Sequence, residues 1–95
     1  GIIACNDIVA ISIYKILHKR NISVPEQIQL VGFDDVHLSS LISPELTTIH
    51  QPIEEMGRKA ISIICDPDGL EKRGKQFVFP VHPIERETTC MKKPL

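Results

Sequence analysis

Gly1-Ile2-Ile3-Ala4-Cys5-Asn6-Asp7 opens a pattern that closes with Gln27-Ile28-Gln29-Leu30-Val31-Gly32-Phe33-Asp34, and this stretch decides the fold. The apolar run up to Cys5 is short and ends on two polar residues, as a buried strand does. Asn and Asp at a strand exit suit a helix cap, because their side-chain oxygens accept from the free N–H groups of the first turn. From Ile8 to Arg20 the apolar residues recur at helical spacing. At about 100° per residue, Val9, Ala10, Ile13, Ile16 and Leu17 share one stripe, which is expected to face the core. His18, Lys19 and Arg20 complement the negative end of that helix, and Asn21 suits its stop. Ile8, Ile11 and Tyr14 fall off the stripe. They read either as scattered surface apolars or as a side that faces a partner. Val24-Pro25-Glu26 is a loop, and Gln27 to Phe33 is a second buried strand. Strand, helix and strand with short links argue for an α/β fold built on a parallel βαβ unit with a right-handed crossover.

Further along, Asp34 to Pro44 has room for a short helix from Leu38 to Ile42, and Thr47, Thr48 and Ile49 favour a strand within Leu46 to His50. Pro52 then stands at the start of a helix, a position that tolerates proline. Over Ile53 to Cys65 the residues Ile53, Met56, Ala60, Ile63 and Ile64 line one face. Glu54, Glu55, Arg58, Lys59 and Ser62 take the other. This is the clearest amphipathic helix in the sequence. Asp66-Pro67-Asp68-Gly69 is a turn, Glu71 to Lys75 a charged surface loop, and Gln76 to Phe79 and Val81 to Glu85 two short extended segments. The tail after Thr89 reads as frayed.

The bulk properties narrow the function. At 95 residues the chain is one domain at most, and a chain near this size buries only about 60% of its unfolded surface. Eleven Lys and Arg against twelve Asp and Glu leave a net charge of -1, so no basic footprint for nucleic acid or a membrane surface is present. Three widely spaced cysteines, Cys5, Cys65 and Cys90, suit free thiols in a reducing cytoplasm. No apolar run approaches the roughly 18 residues of a membrane span. The sequence opens in mid-pattern, as if inside a strand, and is read as a fragment.

Chemistry is expected at the two strand exits. Open parallel sheets bind ligands beyond the carboxyl ends of their strands. Asn6 ends the first strand and Asp34 the second, so an amide and a carboxylate share one sheet edge. An amide donates and accepts, and a carboxylate accepts through both oxygens. That pair suits a ligand rich in hydroxyls, and Gly32 is expected to let the backbone approach it closely. The plainer reading makes Asn6 or Asp7 a helix cap and Asp34 a turn residue; a residue can cap and bind at once. Catalysis finds less support. Asp34 and Asp35 are adjacent, and on an extended segment they point opposite ways. No nucleophile, phosphate-loop or dinucleotide motif occurs. His18, His37, His50 and His82 lack metal-ligand spacing, and no metal or cofactor is expected. His37, nearest the presumed crevice, reads as a loop histidine.

Three stretches together carry a family resemblance: Asn6-Asp7-Ile8-Val9-Ala10; Val24-Pro25-Glu26 through Val31-Gly32-Phe33-Asp34-Asp35; and Ser43-Pro44-Glu45-Leu46-Thr47-Thr48-Ile49-His50-Gln51-Pro52. In order and spacing they resemble the C-terminal part of LacI/GalR-family transcription regulators. Glu54 to Ala60 and Ile84-Glu85-Arg86-Glu87-Thr88-Thr89 follow in the same order. The resemblance implies a type I periplasmic-binding-protein-like fold, in which two Rossmann-like subdomains, each a parallel sheet with flanking helices, close on a small ligand. It implies that residues 1–51 belong to the C-terminal subdomain, 52–80 to the N-terminal subdomain after a crossover, and 81–95 to a return segment and tail. Parts of two subdomains lacking their opening βα units are not expected to form a stable isolated monomer.

By motif, the resemblance assigns effector binding to Asn6 and Asp34, with Gln51 a weaker candidate. It assigns a homodimer interface to Ile8, Ile11, Lys15, Leu41 and Ile42. The implied function is allosteric sensing of a sugar or sugar phosphate, with a purine as the lesser option. Operator DNA would be bound by an N-terminal helix-turn-helix outside this sequence, in a cytoplasmic repressor that is not an enzyme. The rival is a periplasmic or extracellular sugar-binding protein of a transport system. The free cysteines and the Ser43-to-Pro52 motif argue against it, and an upstream signal peptide would support it.

Overall fold

The computed structural model describes residues 1–68 and 74–90. The elements run β1 (Ile2–Ile3), α1 (Asp7–Lys19), β2 (Leu30–Val31), a 3-10 turn (His37–Ser40), β3 (Thr48–His50), α2 (Ile53–Ile64) and β4 (His82–Ile84). They fall into two units. One comprises Gly1–His50 with the returning segment from His82 on, and the other is Gln51–Val81.

In the first unit β1 and β2 pair in parallel, Ile2 against Leu30 and Ile3 against Val31. Parallel bridges from Val31 to Thr47 and from Asp34 to His50 carry the array on to β3. There β4 pairs antiparallel, with Thr48 opposite Ile84 and His50 opposite His82. The N–H groups of Ala4, Gly32 and Asp34 donate to Val31, Thr47 and Ile49 carbonyls at 2.8, 2.9 and 3.0 Å, so the strand backbones have partners despite their shortness. Thr88 is buried where the returning segment meets this array. Its hydroxyl donates to the Leu30 carbonyl (2.7 Å) and accepts from the Thr47 N–H (2.8 Å), while its carbonyl accepts from the Leu30 N–H (3.0 Å).

The core is Ala4, Ala10, Leu30 and Leu46, with Ile2, Ile11, Ile13, Tyr14, Val24 and Ile42 packed around it. This corrects the stripe expected on α1. Val9 and Ile16 are exposed, whereas Ile11 and Tyr14, expected off the stripe, pack on the core. The helix is rotated because its buried first residue, Asp7, is hydrogen-bonded inward. Burial follows 7, 10 and 17, and periodicity alone cannot tell a buried aspartate from a solvated one. At the far end Asn21 takes φ 58°. Its N–H donates to His18 and that of Ile22 to Leu17, the paired bonds that close a helix through a left-handed residue.

In the second unit α2 carries Glu54 and Glu55 in its first turn, where negative charge is favoured. Glu54 pairs with Arg58 one turn on at 3.0 Å. None of its residues is buried. Lys59, assigned to the polar face, is half-buried with its Nζ 4.6 Å from the Phe77 ring centre. The extended segment expected at Gln76 to Phe79 forms no strand, and that at Val81 to Glu85 contains β4. The first three residues of the charged loop at Glu71 to Lys75, and the tail beyond Cys90, lie outside the described residues. No described helix is long and apolar enough to cross a membrane.

Candidate ligand-binding site

The site grows from two strand exits held side by side. As β1 ends, Asn6 is extended (φ -156°, ψ 172°) and its side-chain oxygen accepts the Val9 N–H at 2.8 Å. The next N–H, from Asp7, donates to the Phe33 carbonyl at 3.0 Å. That bond pins the start of α1 to the chain two residues past β2, one residue before Asp34. Asn6 is therefore a helix cap. Capping occupies one lone pair of its oxygen, and a carboxamide still has two N–H donors. Both Asn6 and Asp34 are half-buried.

The backbone at Asp34 and Asp35 is not extended, as the sequence reading assumed. Their φ values are 123° and 59°, a region that residues with a Cβ enter at a cost and mostly at sites where the surroundings over-determine them. Asp35 is held by three contacts. Its carboxylate accepts Arg86 Nη2 at 2.7 Å and meets His50 Nδ1 at 2.8 Å, and its N–H donates to the Thr48 hydroxyl at 3.3 Å. Arg86 also donates to the Leu46 carbonyl at 3.0 Å. Burial pushes the Asp35 carboxyl up, but the bonds to His50 and Arg86 and their charges outweigh it, and the group lies below the usual carboxylate range. His50 and His82 sit across the β3–β4 pair with ring centres 5.0 Å apart.

Beneath both exits lies Asp7, fully buried. One carboxylate oxygen accepts the Thr48 hydroxyl at 2.5 Å; the other accepts the Ser39 hydroxyl at 2.5 Å and the Val36 N–H at 2.9 Å. This explains Gly32 and corrects its expected role. A Cβ there would stand 2.2 Å from the Asp7 carboxylate and 3.0 Å from Leu46 Cδ2. The glycine makes room for Asp7, not for a ligand.

Of the other residues singled out from the sequence, Gln51 begins the second unit and is half-buried. Ile8, Lys15 and Leu41 are exposed, while Ile11 and Ile42 are half-buried against the core. His37 is exposed in the 3-10 turn. Among the described residues no three His, Cys, Asp or Glu side chains are grouped to hold a metal. Sequence reasoning missed Asp35, His50, Arg86, Ser39 and Thr48 as a connected polar set. One signal was available: Asp7 follows a cap residue immediately, where a second cap is redundant.

The profile of the periplasmic binding protein-like domain matches residues 1–89. The chain is 38% identical to the ribose operon repressor of Lactococcus lactis, over 98% of this chain and 29% of the relative. It superposes on a LacI family transcriptional regulator from Enterococcus faecium with bound ribose at TM-score 0.82 and 31% identity, covering 98% of this chain and 35% of that one. It superposes on the lac repressor dimer bound to operator and the anti-inducer ONPF at TM-score 0.82 and 27% identity, covering 94% and 31%. It thus spans about a third of the length of these relatives. With the profile running through nearly every described residue and the relatives agreeing in kind, the chain belongs to the LacI family of transcriptional regulators, as part of their periplasmic binding protein-like domain.

Proposed function

We propose that this chain is an effector-sensing and dimerisation part of a LacI/GalR-type repressor, with Asn6 and Asp34 binding a small ligand. The reading rests on the Asp7-to-Phe33 bond, which keeps an amide and a carboxylate at neighbouring strand exits. The ligand is a sugar or sugar phosphate, with a purine as the lesser option. Support comes from relatives that name ribose, among them the ribose operon repressor of Lactococcus lactis and the Enterococcus faecium regulator with bound ribose. Gln51 is a separate candidate, to be tested alone. The segment carries no catalysis. It works in the cytoplasm, where the parent's N-terminal helix-turn-helix meets operator DNA. Effector binding shifts the balance between two arrangements of the sensing domain by its different affinity for them.

Dimerisation would use the face bearing Ile8, Ile11, Lys15, Leu41 and Ile42, met by the same face of a second copy. Ile8 and Leu41 are 56% and 64% exposed, so covering them removes apolar surface from water at about 25 cal/mol per Å². Ile11 and Ile42 are already half-buried and would contribute their outer edges.

The test is a thermal-shift screen of the full-length protein with sugars, sugar phosphates and purines. A ligand at about 100 times its dissociation constant adds about 2.7 kcal/mol to stability. The expected outcome is a rise with a sugar that Asn6→Ala and Asp34→Ala abolish while both variants stay folded. Variants that respond like wild type would return Asn6 and Asp34 to cap and turn.

A further inference from the structure

We infer that Asp7 is a positioning residue for the candidate site, holding Asn6 and the Asp34–Val36 turn in the geometry that receives a ligand. The inference rests on the reading of Asn6 and Asp34 as ligand-binding residues. Asp7 itself is fully buried and does not reach the ligand.

Three observations carry it. First, Asp7 is spared the capping role its position suggests, because Asn6 already accepts the Val9 N–H. The described bonds of the Asp7 carboxylate all leave the helix, for Val36 N–H, Ser39 Oγ and Thr48 Oγ1. Second, those partners bracket the turn. Val36 lies two residues past Asp34, and the Thr48 hydroxyl that donates to Asp7 accepts the Asp35 N–H. One carboxylate therefore grips both Asp35 and Val36, while the Asp7 backbone N–H fixes Phe33 on the other side of Asp34. Third, that turn needs holding, since Asp34 and Asp35 both have positive φ. Such backbone persists where its surroundings over-determine it. A binding loop set in shape beforehand loses less freedom when the ligand arrives. The missing side chain at Gly32 is the matching accommodation on β2.

The test uses the full-length protein and D-ribose as probe, with Asp7→Asn, Ser39→Ala, Asp34→Ala and the double variant Asp7→Asn/Asp34→Ala. Asp7→Asn keeps the shape but replaces one acceptor oxygen by a donor. Ser39→Ala is the milder second variant should Asp7→Asn fold poorly. At metal sites, groups that orient a ligating residue without touching the metal are worth about 10- to 100-fold in affinity, and the low end of that range is the scale taken for Asp7. The expected result for Asp7→Asn is ribose binding weakened about tenfold and faster amide exchange over residues 34–39, with exchange at Leu30 unchanged. Ser39→Ala moves both readouts the same way by less. In the double variant, which no longer binds ribose, amide exchange over residues 34–39 is still faster, so the loosened turn is read apart from the ligand. A merely structural Asp7 would lower the melting temperature and leave the ribose affinity of the folded protein alone. That outcome, with Asp34→Ala still abolishing binding, overturns the inference and spares the site. If Asp34→Ala binds ribose like wild type, the site itself is wrong and the inference falls with it.

Discussion

The helices α1 and α2 differ in a way their sequences disguise. α2 has the cleaner amphipathic pattern, with acidic and basic residues sorted from apolar ones, yet none of its residues is buried and Ile64 is 76% exposed. α1 is apolar on nearly every side, yet it buries Ala10, Leu17 and, at its first turn, Asp7. An amphipathic pattern states which face can be covered; a partner decides whether it is. α1 has that partner in Leu30, Leu46 and Ala4, and its rotation is set by hydrogen bonds from a charged residue.

The largest expected effect separates the two helices directly. Leu46→Ala, at a fully buried site under α1, should cost about 3 kcal/mol, within the range for deleted core leucines. Ile64→Ala on α2 should stay within about 0.5 kcal/mol, as exposed substitutions do. Denaturant melts of both variants in the full-length protein check this. Equal costs would break the comparison, and would report that segments outside this sequence cover α2.

Next in size is Gly32→Ala. Its new methyl group meets the Asp7 carboxylate and Leu46, and such overpacking costs about 1–3 kcal/mol. Gly57→Ala in α2, where nothing lies within 4 Å of the added Cβ, should instead stabilise by up to about 1 kcal/mol through helix propensity. Opposite signs in the same denaturation assay are the expected outcome, and a neutral Gly32→Ala would mean that Asp7 is free to move.

The smallest effect concerns pH. The Asp35 carboxyl lies below its ordinary range in the folded chain. Its contribution is therefore fully present above the unfolded value of about 3.9 and fades as pH falls through the lower folded value. The stability difference between wild type and Asp35→Asn should shrink as pH falls below the unfolded carboxylate value of about 3.9. The difference between wild type and Glu54→Gln, in the exposed α2 pair, should be small throughout. An Asp35→Asn difference that grows as pH falls below about 3.9 would reverse the sign argued here.

Much of this was legible in the sequence because it is local. Asn6 before an apolar helical run marks a cap, Asn21 after Lys19 and Arg20 marks a stop, and the apolar clusters ending in Cys5 and Phe33 mark parallel strands. The rotation of α1 was not legible, because it depends on partners of Asp7 that lie 29, 32 and 41 residues away. The Asp35–Arg86 pair spans 51 residues, and no spacing rule connects such positions. Gly32 looked like a ligand contact for the same reason: the atom that needs its space belongs to a residue remote in sequence. The two candidate residues, Asn6 and Asp34, could be named from their place after strands, while the groups that hold them could not.

Thr88 carries a consequence for the order of events during synthesis. The backbone N–H of Thr47 waits for a hydroxyl that leaves the ribosome 41 residues later, a delay of about 2–8 s at 5–20 residues per second. Through that interval the second unit is made in full while the Thr47 N–H and the Leu30 N–H and carbonyl still lack their Thr88 partners. A ribosome paused before Thr88 would therefore hold a nascent chain with these three groups unmet by Thr88, exposed to chaperones and to the backbone of a neighbouring nascent chain.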